Sequence, residues 1–107
     1  MTKLEAVAKF CGWKSLRRYQ DEWRYGITTN HSIWRTSDND LLALLKKTLR
    51  KKGYFFDIKY GKYGSRKTAF YVFIWRWDKA LNQPTCHGKT ELAAVMSAIS
   101  ELVEDGK

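Results

Sequence analysis

Proline, cysteine, acidic residues and long uncharged runs are all scarce in this sequence, which has one proline, two cysteines and 11 acidic residues among 107. No stretch longer than ten residues, Tyr25–Trp34, is free of Lys, Arg, Asp and Glu. A membrane-spanning helix needs about 20 apolar residues, so none is expected. Two cysteines cannot build a disulfide framework. The opening MTKLEAVAKF carries Lys3, Glu5 and Lys9 where a secretory signal would be apolar. Reduced thiols and a cytoplasmic location are therefore expected, with no membrane partner. The 20 basic residues leave a formal charge of +9. Such a balance bears on partners rather than on fold, and favours anionic ones.

Core-forming residues, by contrast, are plentiful. The chain is 44% hydrophobic and 15% aromatic, which is too rich for a disordered chain, and its length suits one domain spanning residues 1–107. Thr2-Lys3-Leu4-Glu5 reads as a capping box. Leu4, Val7, Ala8 and Cys11 recur at helical spacing, and Gly12 is a natural stop. Between Lys14 and Trp34 the pattern is mixed. Trp23, Tyr25 and Ile27 alternate as in a half-buried strand, Thr28–Ser32 reads as a turn, and Ile33-Trp34 as a short return. Ser37 caps a second helix with the apolar stripe Leu41, Leu42, Leu45 and Leu49, which ends at Gly53. Tyr54–Tyr60 and Thr68–Trp77 read as a hairpin around Gly61–Arg66. The run Ala69–Trp75 is apolar at both parities, which predicts a central strand covered on both sides. Asp78–Lys89 reads as a polar connection. Thr90 caps a last helix in which Leu92, Val95, Met96, Ile99, Leu102 and Val103 form one face.

Charge is unevenly spread. Residues 1–45 carry seven basic and five acidic groups, residues 46–67 nine basic groups and only Asp57, and residues 68–107 four basic and five acidic. Cations favour a helix C-terminus, which accounts for Lys51 and Lys52 but not for Lys59, Lys62, Arg66 and Lys67. The segment Lys59–Lys67 interleaves cations, tyrosines and glycines. Cations hold phosphates, rings stack on bases, and glycine lets a backbone approach closely. The other reading of these lysines is protection of an edge hairpin against aggregation.

The five tryptophans suit a core. Trp75-Arg76-Trp77 is also a candidate protein-binding surface, since alternation puts both indoles on one sheet face. Gly88-Lys89-Thr90 ends like a phosphate-binding loop, but Gln83 stands where that motif requires glycine. Cys11, His31, Cys86 and His87 show no zinc-ligand spacing, and Cys86-His87 are adjacent, which is not how nucleophile and base are assembled. Neither a catalytic set nor a metal or cofactor is expected.

Ala6-Val7-Ala8-Lys9 running into Gly12-Trp13, Thr36-Ser37-Asp38 opening a helix that ends at Gly53-Tyr54, an aromatic hairpin, and the closing Glu91-Leu92-Ala93-Ala94-Val95 together resemble the phage ABA sandwich domain family. The resemblance implies a sheet held between helical layers and a phage or prophage origin. That family has no established activity, so no catalytic residues carry over.

The expected fold is α+β, an α-β-α sandwich with a mostly antiparallel sheet and three helices. The expected function is that of a non-enzymatic phage or prophage protein in the host-cell cytoplasm that binds an anionic partner, nucleic acid before other polyanions. Lys46, Lys47, Arg50, Lys51, Lys52, Lys59, Lys62, Arg66 and Lys67 would supply the charge, and Tyr60 and Tyr63 would stack. The alternative is a counter-defence protein that inhibits a host immune protein or nuclease complex by docking on an acidic surface, or that sequesters a nucleotide immune signal. Trp75 and Trp77 would be the protein-binding anchors.

Overall fold

A computed structural model of the protein describes residues 2–27, 33–62, 67–75 and 86–105. Helix α1 (Lys3–Cys11) starts where Thr2 Oγ1 accepts the Glu5 N–H at 3.1 Å. It stops at Gly12, whose φ of 75° is the left-handed conformation that favours glycine. Strands β1 (Ser15–Tyr19), β2 (Glu22–Gly26) and β3 (Ile33–Thr36) form one antiparallel sheet in that order. Helix α2 (Asp38–Lys51) is capped by Ser37, which accepts the Asp40 N–H at 3.2 Å, and closes at Lys52-Gly53. Strands β4 (Phe55–Gly61), β5 (Ala69–Trp75) and β6 (Cys86–Gly88) form a second antiparallel sheet with β5 at its centre. Helix α3 (Glu91–Asp105) closes the chain, with Thr90 Oγ1 accepting the Ala93 N–H at 3.1 Å.

The fold is thus α+β: among the described residues there are three helices and all strand pairing is antiparallel, but the strands divide into two three-stranded sheets. Two elements differ from the sequence reading. β1 occupies part of the mixed stretch, and β6 lies inside the expected polar connection 78–89. The core sits where Val7 and Phe10 of α1, Leu41, Leu45 and Leu49 of α2, and Val95 and Ile99 of α3 meet Leu16 and Trp23 of the first sheet and Val72 and Ile74 of the second. In the second sheet Phe56, Ile58, Phe70, Val72 and Ile74 alternate toward this core. The opposite face carries Phe55, Asp57, Lys59, Tyr71, Phe73 and Trp75. There Tyr71 is buried, its hydroxyl donating to the Lys67 carbonyl, and Phe73 and Trp75 are half-buried. Apolar residues at both parities therefore do mark a central strand, but none of these outer-face residues joins the helical core. Of the tryptophans, Trp23 is buried, Trp13 and Trp75 half-buried, and Trp34 exposed.

β6 approaches α3 closely enough to exclude a side chain. A Cβ on Gly88 would lie 2.7 Å from the Ala94 backbone nitrogen and 3.0 Å from its Cα, and neither atom can swing away. Gly88→Ala is expected to destabilise the fold by about 1–3 kcal/mol, as overpacking does, measured by urea denaturation.

Asp38 joins the first sheet to α2. Its Oδ1 accepts the Trp23 Nε1–H at 2.6 Å and is also ion-paired with Arg18. These two contacts, the indole first, hold its carboxyl below the ordinary 3.8. A carboxyl whose folded pKa is depressed stabilises the fold above its unfolded pKa, and that contribution is lost as pH falls through the folded value. Asp38→Asn should therefore melt below the wild type at pH 7, with the gap closing as the pH drops below about 4; thermal melts at pH 7 and pH 3 measure it.

Candidate anion-binding surface

The last turns of α2 hold the densest group of cations. Leu41, Leu45 and Leu49 turn one stripe inward, so the basic residues among and after them divide by direction. Lys47 and Lys51, one turn apart, are exposed and make no ion pair among the described residues. Lys46 points instead to α3 and pairs with Glu91 at 3.4 Å. The Arg50 guanidinium lies 5.0 Å from the centre of the Phe56 ring, and the Lys52 ammonium 5.0 Å from that of Phe10. Both remain exposed residues.

Where α2 hands over to β4, a pocket of about 400 Å³ is lined by Arg50, Gly53, Tyr54, Phe55, Phe56 and Trp75. Phe55 and Trp75 are cross-strand partners, stacked at 6.0 Å with 19° between their planes. The φ of 86° at Gly53 turns the chain from helix to strand, which sets Arg50 and the aromatic start of β4 around one depression. Aromatic walls beside a guanidinium suit a flat, anion-bearing group such as a nucleotide, whose base can stack while its phosphate meets the cation. Tyr54, Phe55 and Phe56 were not among the binding residues expected from sequence. The signal that could have found them is the aromatic triplet directly after a basic helix end.

β4 carries the remaining charge away from this group. Seven steps from Phe55 to Lys62 at about 3.3 Å each put the hairpin about 23 Å from the end of α2. The cations expected in one ribbon thus form two groups. Lys59 and Tyr60 are also parted, because neighbours on a strand face opposite ways. Lys59 lies on the outer face, 3.7 Å from the Asp57 carboxylate and 5.7 Å from the Phe73 ring. Tyr60, 67% exposed, lies against Phe70 at 4.7 Å on the other face. Lys62 and Lys67 are exposed on the two arms of the hairpin, beyond the last pair Gly61–Ala69. Tyr63, Arg66 and Trp77 lie outside the described residues. Among the described residues, Lys46 and Lys59 are therefore the members of the expected set that carboxylates partly neutralise.

Cys11 lies against Thr48 of α2, and Cys86 sits on β6. Burial pushes both Cys11 and Cys86 up to about 11. Cys86 pairs with Val72 on the core side of β6, whereas His87 pairs with Tyr71 on the outer side, so the two diverge. Among the described residues no three His, Cys, Asp or Glu side chains cluster as metal ligands would. The thiolate is the reactive form, so alkylation by iodoacetamide in the folded protein is expected to be slow at pH 8 and to rise about tenfold per pH unit up to pH 10.

Comparison with known protein families, with curated proteins and with solved structures finds no match to this chain.

Proposed function

We propose that this protein is a non-enzymatic nucleic-acid-binding protein of phage or prophage origin that holds single-stranded segments at the α2–β4 junction. The observation that carries this reading is the pairing of two exposed lysines without an ion pair among the described residues, Lys47 and Lys51, with an aromatic pocket that Arg50 borders. Lys47 and Lys51 supply phosphate contacts, Arg50 orients a phosphate at the pocket mouth, and Phe55 and Trp75 take a base. Lys62 and Lys67, about 23 Å away along β4, engage a more distant part of the same strand. The phage assignment rests on the sequence resemblance alone.

Salt dependence tests the reading. Each phosphate neutralised on a single strand adds about 0.7 to the magnitude of the slope of log affinity against log salt, so these five cations require a slope of about −3.5. Fluorescence anisotropy of a labelled 20-nucleotide strand measures it, and affinity that ignores salt excludes the proposal. The exposed Phe55 stacked on Trp75 favours a second reading. Such a pair can anchor a protein partner, as in a counter-defence protein docking on a host factor. Failure to bind any nucleic acid, with loss of a defined host complex on Trp75→Ala, would support that reading instead.

A further inference from the structure

In the first sheet Arg17 of β1, Arg24 of β2 and Arg35 of β3 are direct cross-strand partners. Their side chains stand in one row on the face opposite Leu16 and Trp23, which enter the core. With strands about 4.8 Å apart, the ends of the row are about 10 Å from each other. Like charges directly opposite one another destabilise a sheet, and a solvent-facing row needs only polar residues. The row therefore breaks a local rule, which is where functional residues are expected.

Compensation within the row is partial. Glu22 reaches Arg24 at 3.3 Å and Arg35 at 3.6 Å, while Arg17 has no carboxylate partner among the described residues. The Arg24 guanidinium is also fixed, 3.9 Å from the centre of the Tyr19 ring. Arg17 continues the charge into a cleft of about 570 Å³ between α1 and β1, lined by Lys9, Trp13 and Lys14 along with Glu5. Row and cleft together hold five cations and two carboxylates, a net +3.

We infer that this face is a second anion-binding surface, shaped for the sugar–phosphate backbone of a nucleic acid. Guanidinium forks match phosphate oxygens two at a time. A linear array of cations fits a linear polyanion. The centres of protein–protein interfaces are depleted in charge, whereas nucleic-acid interfaces are strongly positive. The centre of this face is three arginines. It shares no element with the α2–β4 site, so neither reading depends on the other.

The test uses the full chain with Arg17→Ala/Arg35→Ala, and labelled 20-nucleotide single-stranded and duplex probes titrated by anisotropy across a salt series. The slope of log affinity against log salt should flatten by about 1.4 for single strand or about 1.8 for duplex. The affinity lost between 50 and 200 mM salt should then shrink by roughly tenfold. Whichever probe shows the flattening identifies the form bound. Glu22→Gln removes the opposing carboxylate and should tighten binding and steepen the slope, an effect that a folding defect cannot imitate. Unchanged slopes in both variants would overturn the inference, as would equal displacement by polyglutamate of matched charge. A chain that shows these slope changes yet ignores Lys47→Glu/Lys51→Glu would sink the α2–β4 proposal and leave this one standing.

Discussion

Lys47→Glu/Lys51→Glu is expected to weaken binding of a single-stranded oligonucleotide by about 25-fold or more at 0.1 M salt. A slope of about 0.7 per phosphate makes each contact worth about fivefold between 1 M and 0.1 M salt. Two contacts multiply, and the new carboxylates add repulsion. Both side chains are exposed and free of ion pairs among the described residues, so no internal partner is orphaned. The stability effect falls mainly on Lys51, which sits in the last turn of α2, where exchanging a cation for an anion opposes the helix dipole by about 0.3–1 kcal/mol. Melting should fall by a few degrees at most while affinity collapses. The matched control is Lys46→Ala/Lys59→Ala. Those two cations already face Glu91 and Asp57, so their removal should cost much less affinity. If the double reversal leaves both affinity and salt slope intact, the α2–β4 junction is not the binding surface.

How far the sequence disclosed this surface depends on which periodicity each residue obeys. Caps were legible because they are local chemistry. Thr2, Ser37 and Thr90 each accept a backbone N–H three residues on, and Gly12 takes the positive φ that its position as a helix stop implies. The α2 stripe and the centrality of β5 were legible for the same reason. β1 was not, since of Ser15–Tyr19 only Leu16 is buried and a polar edge strand has no alternation to read. β6 has three residues and a single core contact, Cys86, which is too little signal within a polar stretch. The basic segment 46–67 was found by counting charge along the chain, but counting has no geometry. Two-residue alternation separates Lys59 from Tyr60, and strand length separates the hairpin from α2. The arginine row was hidden by the same counting. Arg17, Arg24 and Arg35 lie among the acidic residues of a segment with a small net charge, and only the register of three strands lines them up.

Leu45→Ala should do the reverse of the charge reversal two residues along the same helix, leaving the binding chemistry in place and removing the platform beneath it. Leu45 is fully buried, with Leu41 and Leu49 one turn to either side, and all three belong to the cluster that joins α2 to α3 and to both sheets. Truncating a fully enclosed leucine costs about 2–5 kcal/mol, the loss of transfer free energy plus the cavity left behind. The upper part of that range applies where neighbours cannot collapse into the gap. The other large members of that core cluster, Ile99, Val95, Val72 and Ile74, are themselves held by α3 and the central strand β5. Against a stability of about 5–15 kcal/mol for a domain of this size, the loss is a large fraction. Urea denaturation should show the midpoint falling with little change in slope. In the fraction that remains folded at low denaturant, oligonucleotide affinity should stay within about twofold of the wild type, because Lys47, Arg50 and Lys51 keep their places on the outer side of the helix. A Leu45→Ala protein that is as stable as the parent would mean that α2 is not anchored through this stripe. One that is stable but unable to bind would mean that the lysines act through the core rather than as a surface.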